Sequence, residues 1–136
     1  MLRVMSSAVV TVFLRTMAAN SHDPSSPDLS QENLGVRVPT DVTVTPIGTV
    51  GGTRKPEGMS VFDEADAIPI HHRPRVLGGL SDRPLWELPA DTVQPPLQFA
   101  NTRGAHWVIA PAQVMALPDY VAALEATAPA WSVWHA

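Results

Sequence analysis

Apolar positions fall into short runs separated by prolines, and one such run predicts a buried strand. Residues 104–115 read G-A-H-W-V-I-A-P-A-Q-V-M. Val108 and Ile109 are β-branched and suit a covered, pleated position, while Pro111 cannot donate to a strand ladder and should end the element. The strand would carry His106 near its start. That side chain is either placed to touch a ligand or is a core histidine bonded to backbone.

Only one stretch has the spacing of an amphipathic helix, and it follows this strand. Its apolar positions recur at intervals of four, three and four and are Leu117, Val121, Leu124 and Ala128. Pro118 fits a first helical position, and Asp119 in the first turn complements the helix dipole. We therefore predict a helix that starts near Pro118 and is closed by Pro129.

The remaining elements are predicted to be short strands and loops. Residues 8–14 are β-rich and predict a first strand with Arg15 at its end. Residues 85–88 alternate like a strand, and residues 95–99 are extended and lead through a turn into the His106 strand, which makes a hairpin. Residues 20–53 are largely loop, with a short helix at 28–34 capped by Ser30 and weak strands within 36–50.

The first twenty residues admit a second interpretation. A short apolar run follows Arg3, and small residues follow at Ala18 and Ala19, as in a secretory signal peptide. Arg15 interrupts the run before the cleavage position, so we favour the strand. The run is also too short to span a membrane, and we predict no membrane span.

Composition narrows the class of protein. The chain has 136 residues, 45% of them hydrophobic and 16% charged, which predicts one folded domain over residues 1–136. Fourteen prolines exclude long helices, and the absence of cysteine excludes disulfides and thiol chemistry. The formal net charge is −4, and the sequence has no extended basic stretch. We therefore predict no nucleic-acid binding and favour an anionic small molecule as the ligand.

Two further motifs are candidates for binding. Glycines surround T-R-K-P-E, a basic turn around Arg54 that could wrap a phosphate or could be an ordinary solvated loop. In G-M-S-V-F-D, residues 58–63, Ser60 and Asp63 would line the edge of a cleft; alternatively Ser60 caps a short helix. His71 and His72 are adjacent and point in different directions on a strand, so we assign no metal site.

Three segments resemble, in order and spacing, the segments of a known family. They read G-M-S-V-F-D, then W-E-L-P-A-D-T-V-Q-P-P-L, then A-H-W-V-I-A-P-A-Q-V-M before a helix. It comprises the small effector toxins of bacterial type VI secretion with an ADP-ribosyltransferase-like fold. The resemblance is good over residues 58–126 and poor before them. It implies a compact α+β domain with a split, mainly antiparallel sheet core, few short helices and a cleft for NAD.

Carried over by position, the resemblance implies that Ser60 and His106 are the catalytic residues. It matches Arg15 to a first-strand arginine that contacts the NAD phosphate, with an offset of one residue. The predicted NAD-binding residues are Arg15, Arg54, Met59, Ser60, Phe62, Asp63 and His106. Met59 stands where the family has a threonine.

A second departure concerns the catalytic carboxylate. ADP-ribosyltransferases generally carry Glu-x-Glu or Gln-x-Glu on a late strand, and this chain has neither, an oddity that the type VI toxins share. Cleavage of the nicotinamide bond builds positive charge on the ribose, which a carboxylate stabilises. We expect Asp63 or Glu57 to supply that charge.

The resemblance implies an antibacterial toxin that transfers ADP-ribose from NAD, a glycosyl transfer, onto an unknown macromolecule. It would be made in the cytoplasm, secreted, and active in the cytoplasm of a target cell, with a cognate immunity protein in the producer. One alternative is a binding toxin that keeps the fold without NAD chemistry. Another is a small domain that binds a partner through Trp131 and Trp134.

Overall fold

The computed structural model describes residues 11–28 and 41–135. Within those ranges the chain forms eight strands, one α-helix and four single-turn 3-10 helices. The strands are β1 Val12–Thr16, β2 Thr49–Val50, β3 Met59–Phe62, β4 Leu85–Pro89, β5 Leu97–Arg103, β6 His106–Pro111, β7 Met115–Ala116 and β8 Ser132–Val133. The helix is α1 Leu117–Glu125, and the 3-10 turns are Ala65–Ala67, Arg75–Leu77, Ala90–Thr92 and Ala128–Ala130.

Several predictions lie outside the described residues. Residues 1–10 hold the start of the predicted first strand and the first half of the signal-peptide alternative. Most of the short helix at 28–34, with its Ser30 cap, also lies outside the described residues. Where the first strand is described it runs to Thr16, so Arg15 lies inside β1 and not at its end. The described parts of residues 20–53 are loop except for β2, as predicted.

Six strands form one sheet in the order β5-β6-β3-β1-β4-β8, and β2 pairs with β7 in a separate ribbon. Every neighbouring pair of strands is antiparallel. The protein is therefore a small α+β structure with a mostly antiparallel sheet and one helix over the described residues, which confirms the predicted class. The predicted hairpin is confirmed as well, because β5 pairs with β6 through the turn at Gly104.

One face of the sheet carries the main core, against which α1 packs. Met59 and Val61 of β3 and Ile109 of β6 are fully buried in this cluster. Met59 and Val61 share this face because alternate residues of a strand point to the same side. The helix buries Tyr120 and Leu124 there. The predicted end of the helix at Pro129 is wrong: α1 ends at Glu125, and a 3-10 turn at Ala128–Ala130 follows.

The tail after this turn packs back onto the protein. Trp131 is 3% exposed and its Nε1 donates to Thr127 Oγ1 at 2.9 Å. The next residues form β8, which pairs with β4 at the edge of the sheet. The tail is thus part of the core and the sheet, and Trp131 is not available as an exposed adhesive side chain.

The other face of the sheet carries a smaller apolar cluster of Leu14, Ile68 and Leu85. Ser60 and Phe62 lie on this face, because successive side chains of β3 point to opposite faces of the sheet and those of Met59 and Val61 are in the main core. Ser60 is inside a strand, so the alternative in which it caps a helix is wrong. This face forms the floor of the cleft described next.

Candidate functional site

A cleft of about 770 Å³ lies on this second face. Its floor is formed by β3 and the start of β6, and the segment containing Ala67 and Ile68 forms one wall. Its charged and hydrogen-bonding residues include Arg15, Asp41, Ser60, Arg83, Arg103 and His106. The volume is in the range of cavities that bind small molecules and cofactors.

Ser60 and His106 meet at the floor of this cleft. The register of β3 and β6 sets Phe62 opposite His106 and Ser60 opposite Val108, so Ser60 and His106 are diagonal neighbours on one face. Ser60 Oγ and His106 Nε2 are 3.0 Å apart, a normal hydrogen-bond distance. The Phe62 ring packs beside the imidazole with its centroid at 5.1 Å.

Thr102 fixes the other side of the imidazole. The β5–β6 pairing shifts by one residue between Asn101 and Arg103, a β-bulge that re-aims Thr102 toward His106. Thr102 Oγ1 donates to the His106 carbonyl at 3.0 Å and is also hydrogen-bonded to His106 Nδ1. With the hydroxyl hydrogen assigned to the carbonyl, the hydroxyl oxygen accepts from Nδ1, and this assignment puts the ring proton on Nδ1.

This arrangement leaves the lone pair of His106 Nε2 facing Ser60. A neutral imidazole protonated at Nδ1 is an acceptor at Nε2, so the Ser60 hydroxyl is the donor in the 3.0 Å bond. The pKa of His106 is lowered, mainly by desolvation and secondly by the nearby positive charge of Arg103. The ring is thus kept neutral near pH 7, as this hydrogen-bond pattern requires.

Arg15 enters the site from β1. Among the described residues, β1 and β3 pair only at Leu14 and Phe62, so the strands separate beside Ser60. Arg15 Nη1 spans this gap and donates to the Ser60 carbonyl at 2.8 Å. The guanidinium therefore replaces a missing ladder bond, and it holds β1 against the strand that carries Ser60.

The charges on the cleft favour an anionic ligand. Among the described residues that line it, Arg15, Arg83 and Arg103 stand beside one carboxylate, Asp41, so positive charge predominates there although the whole chain is acidic. Guanidinium groups pair well with phosphate and carboxylate oxygens. A phosphate-bearing small molecule fits this set better than a cation does.

The structure brings four of the predicted site residues together on the cleft, namely Arg15, Ser60, Phe62 and His106. The other three do not line it. Met59 is fully buried in the main core, Asp63 accepts from Trp107 Nε1 at 3.1 Å, and Arg54 is exposed on its turn. Alternation along β3 explains the separation of Met59 from Ser60, because adjacent strand residues face opposite sides.

The expected source of negative charge also differs. Glu57 accepts from Thr43 N at 3.0 Å and from Thr43 Oγ1 at 2.9 Å, and it does not line the cleft. Asp41 does line it, which could not be predicted because Asp41 belongs to no motif or element recognisable in the sequence. Thr102 was also missed, since a bulge cannot be read from the pattern of apolar residues.

Within the described ranges, no three His, Cys, Asp or Glu side chains cluster as the ligands of a metal ion would. Over the same ranges, no helix is long and apolar enough to cross a membrane. Comparison with models of protein families, with curated proteins and with solved structures finds no match for this chain. Functional assignment therefore rests on the geometry of the cleft.

Proposed function

We propose that the cleft binds NAD and that the protein is a toxin with an ADP-ribosyltransferase-like fold, which transfers ADP-ribose to a macromolecule. The observation that carries the proposal is the Ser60–His106 pair, bonded at 3.0 Å on the floor of a cleft walled by arginines. A dinucleotide combines ribose hydroxyls with a pyrophosphate. The pair supplies hydrogen bonds for the former, and the guanidiniums supply charge for the latter.

Six residues of the cleft, in addition to Asp41, have a role in this proposal. Ser60 and His106 hold the hydroxyls of the nicotinamide ribose, and the Phe62 ring covers one side of that sugar. Arg83 and Arg103 pair with the pyrophosphate. Arg15 has a positioning role, because its Nη1 is committed to the Ser60 carbonyl at 2.8 Å.

Asp41 supplies the negative charge that stabilises the ribosyl cation, in place of Asp63 or Glu57. Among the described residues that line the cleft, Asp41 is the one that carries a carboxylate. A single carboxylate near the ribose is the minimum for this chemistry. The proposal includes action in the cytoplasm of a target bacterium, and a cognate immunity protein that protects the producing cell.

Calorimetric titration with NAD tests binding. We expect Ser60→Ala to weaken NAD binding about tenfold, the effect of about one hydrogen bond. Ser132→Ala, which alters an exposed serine on β8, should bind like the wild type. Absence of NAD binding by the folded wild-type protein at millimolar concentration would refute the proposal.

A binding toxin without NAD chemistry is the second candidate, and the missing glutamate motif favours it. Incubation with labelled NAD and a cell lysate separates the two, because only the transferase releases nicotinamide and labels a product. Asp41→Asn is the decisive variant. A transferase should lose turnover with this change and keep NAD binding, whereas a binding toxin should keep its toxicity on expression in bacteria.

A further inference from the structure

We propose that Ser60 is an activated nucleophile, with His106 as its general base, and that the cleft can transfer an acyl group from an ester to the Ser60 hydroxyl. The proposal concerns the reactivity of this hydroxyl, goes beyond NAD binding and does not depend on it. Three observations carry it: the hydrogen bonds that join Ser60, His106 and Thr102, the pairing of the two strands that hold Ser60 and His106, and access from the cleft.

With the ring proton assigned to Nδ1, the hydrogen bonds run in the direction that nucleophilic catalysis needs. Thr102 accepts from Nδ1, and the Ser60 hydroxyl donates to Nε2 at 3.0 Å. A serine, a base that accepts its proton and a third group that orients the base are the parts of a catalytic hydroxyl site. Here the third group is a threonine hydroxyl, which orients the ring without adding negative charge. We assign Thr102 as a positioning residue.

The pair is held before any ligand arrives. Ser60 and His106 lie on adjacent, paired strands, β3 and β6, and not on loops. Asn101 Nδ2 also donates to the His106 carbonyl at 3.1 Å, which ties the start of β6 to the bulged strand β5. Alignment of this kind removes much of the entropic cost of reaching the reactive geometry.

Both reacting atoms belong to residues that line the cleft, so an ester can approach Ser60. Arg103 lies on the same cleft, and its positive charge is near enough to lower the pKa of His106. A guanidinium in this position also stabilises the negative charge of a tetrahedral intermediate. The ester that fits best carries an anionic group, for which Arg83 offers a second contact.

The acyl group passes from the ester to Ser60 Oγ and then to water. Ser60 Oγ forms a bond to the carbonyl carbon of the ester while His106 Nε2 takes the hydroxyl proton. The carbon–oxygen bond to the alcohol then breaks, and the alcohol leaves with the proton from Nε2. Water, deprotonated by the same nitrogen, then bonds to the acyl carbon, the bond from that carbon to Ser60 Oγ breaks, Oγ regains the proton from Nε2, and the carboxylic acid leaves. No oxidant, metal or further reactant is needed.

Labelling with a fluorophosphonate, followed by intact-mass measurement and peptide mapping, tests the proposal. The phosphorus–oxygen bond forms at Ser60 and fluoride leaves, so the expected result is one adduct, located on Ser60. Ser60→Ala should give none, and Ser132→Ala should label at the wild-type rate. His106→Gln should label about 100-fold more slowly, the usual contribution of a general base. An unlabelled wild type, or an adduct on another residue, would overturn the proposal.

Thr102 has its own test. Thr102→Val removes the hydroxyl and keeps the shape, so labelling should slow, and Thr102→Ser should restore the rate. Equal rates in the two variants would show that the hydroxyl does not orient the base.

The pH profile of the wild-type protein avoids any doubt about the folding of variants. In the part of the chain that the structure describes, the other charged or titratable groups that line the cleft around His106 are Arg15, Asp41, His72, Arg83 and Arg103. A histidine base predicts a labelling rate that is level above neutral pH and falls at acidic pH as Nε2 becomes protonated. His72→Gln should keep this profile. A rate that instead rises steadily with hydroxide concentration would mean that no imidazole activates Ser60, and would also overturn the proposal.

Discussion

Removal of one buried hydroxyl, in Tyr120→Phe, should destabilise the protein more than its size suggests. The Tyr120 hydroxyl lies between β3 and β6, where it accepts from Met59 N at 3.0 Å and donates to the Ile109 carbonyl at 2.5 Å. Met59 and Ile109 are register partners, so the hydroxyl completes the ladder where the two strands begin to pair. Burial raises the pKa of Tyr120 well above its ordinary value, which keeps the hydroxyl protonated as a donor.

The magnitude follows from the two groups that lose their partner. An unsatisfied buried N–H or carbonyl costs about 1–3 kcal/mol, and two of them set against the better burial of phenylalanine give a loss of about 2–4 kcal/mol. At roughly 4 °C per kcal/mol for a chain of this length, Tm should fall by about 8–16 °C. The substitution lowers the stability of the fold, and one of the two groups that it leaves without a partner is the N–H of Met59, the residue next to Ser60.

Urea unfolding followed by tryptophan fluorescence measures the change, because Trp86 and Trp131 are buried and become exposed. Thr92→Val is the matched control, since it removes an exposed hydroxyl that donates to the Pro89 carbonyl at 2.7 Å. It should change the free energy of unfolding by about 0.5 kcal/mol or less. Tyr120→Phe could instead lower the free energy of unfolding by less than about 1 kcal/mol, with an unchanged dependence of that free energy on urea concentration. In that case β3 and β6 bond to each other directly where the hydroxyl stood, and the reasoning is wrong.

Three further predictions follow from the same region. Gly58→Ala should cost about 3 kcal/mol of unfolding free energy, because its Cβ would lie 2.3 Å from the Ile109 backbone oxygen; a melting temperature equal to that of the wild type would contradict this close packing. The lowered pKa of His106 means that the unfolded chain binds more protons near pH 6, so stability is present above about pH 6.5 and is lost as pH falls through the folded pKa. Denaturant midpoints of the wild type should decline over this interval more than those of His106→Gln, and parallel declines would argue against the shift. Arg103→Gln should raise the pKa of His106 in an NMR titration, because it removes a repulsive positive charge.

The sequence predicted those features that depend on neighbouring residues. β-Branched residues and Pro111 gave the strand β6 and its end, and the turn before Gly104 gave the hairpin. The helix was found from its apolar spacing, although its end was placed four residues too late, since Pro129 stops a helix but does not require one to reach it. Ser60 and His106 were candidates from their local sequence and were assigned as catalytic from a resemblance, and their placement on one cleft is a property of the fold.

Local pattern alone therefore predicted short strands, one hairpin and one helix, because the alternation of strands and the period of a helix are properties of adjacent residues, whereas the mainly antiparallel sheet was implied by the resemblance. Only the tertiary structure decided that Ser60 meets His106, since the pairing of β3 with β6 joins residues 46 positions apart. It also decided that a bulge turns Thr102 toward the imidazole and that Asp41 reaches the cleft. Strand order and register set these contacts, and both are fixed by packing of the whole chain, so no short stretch of sequence contains them.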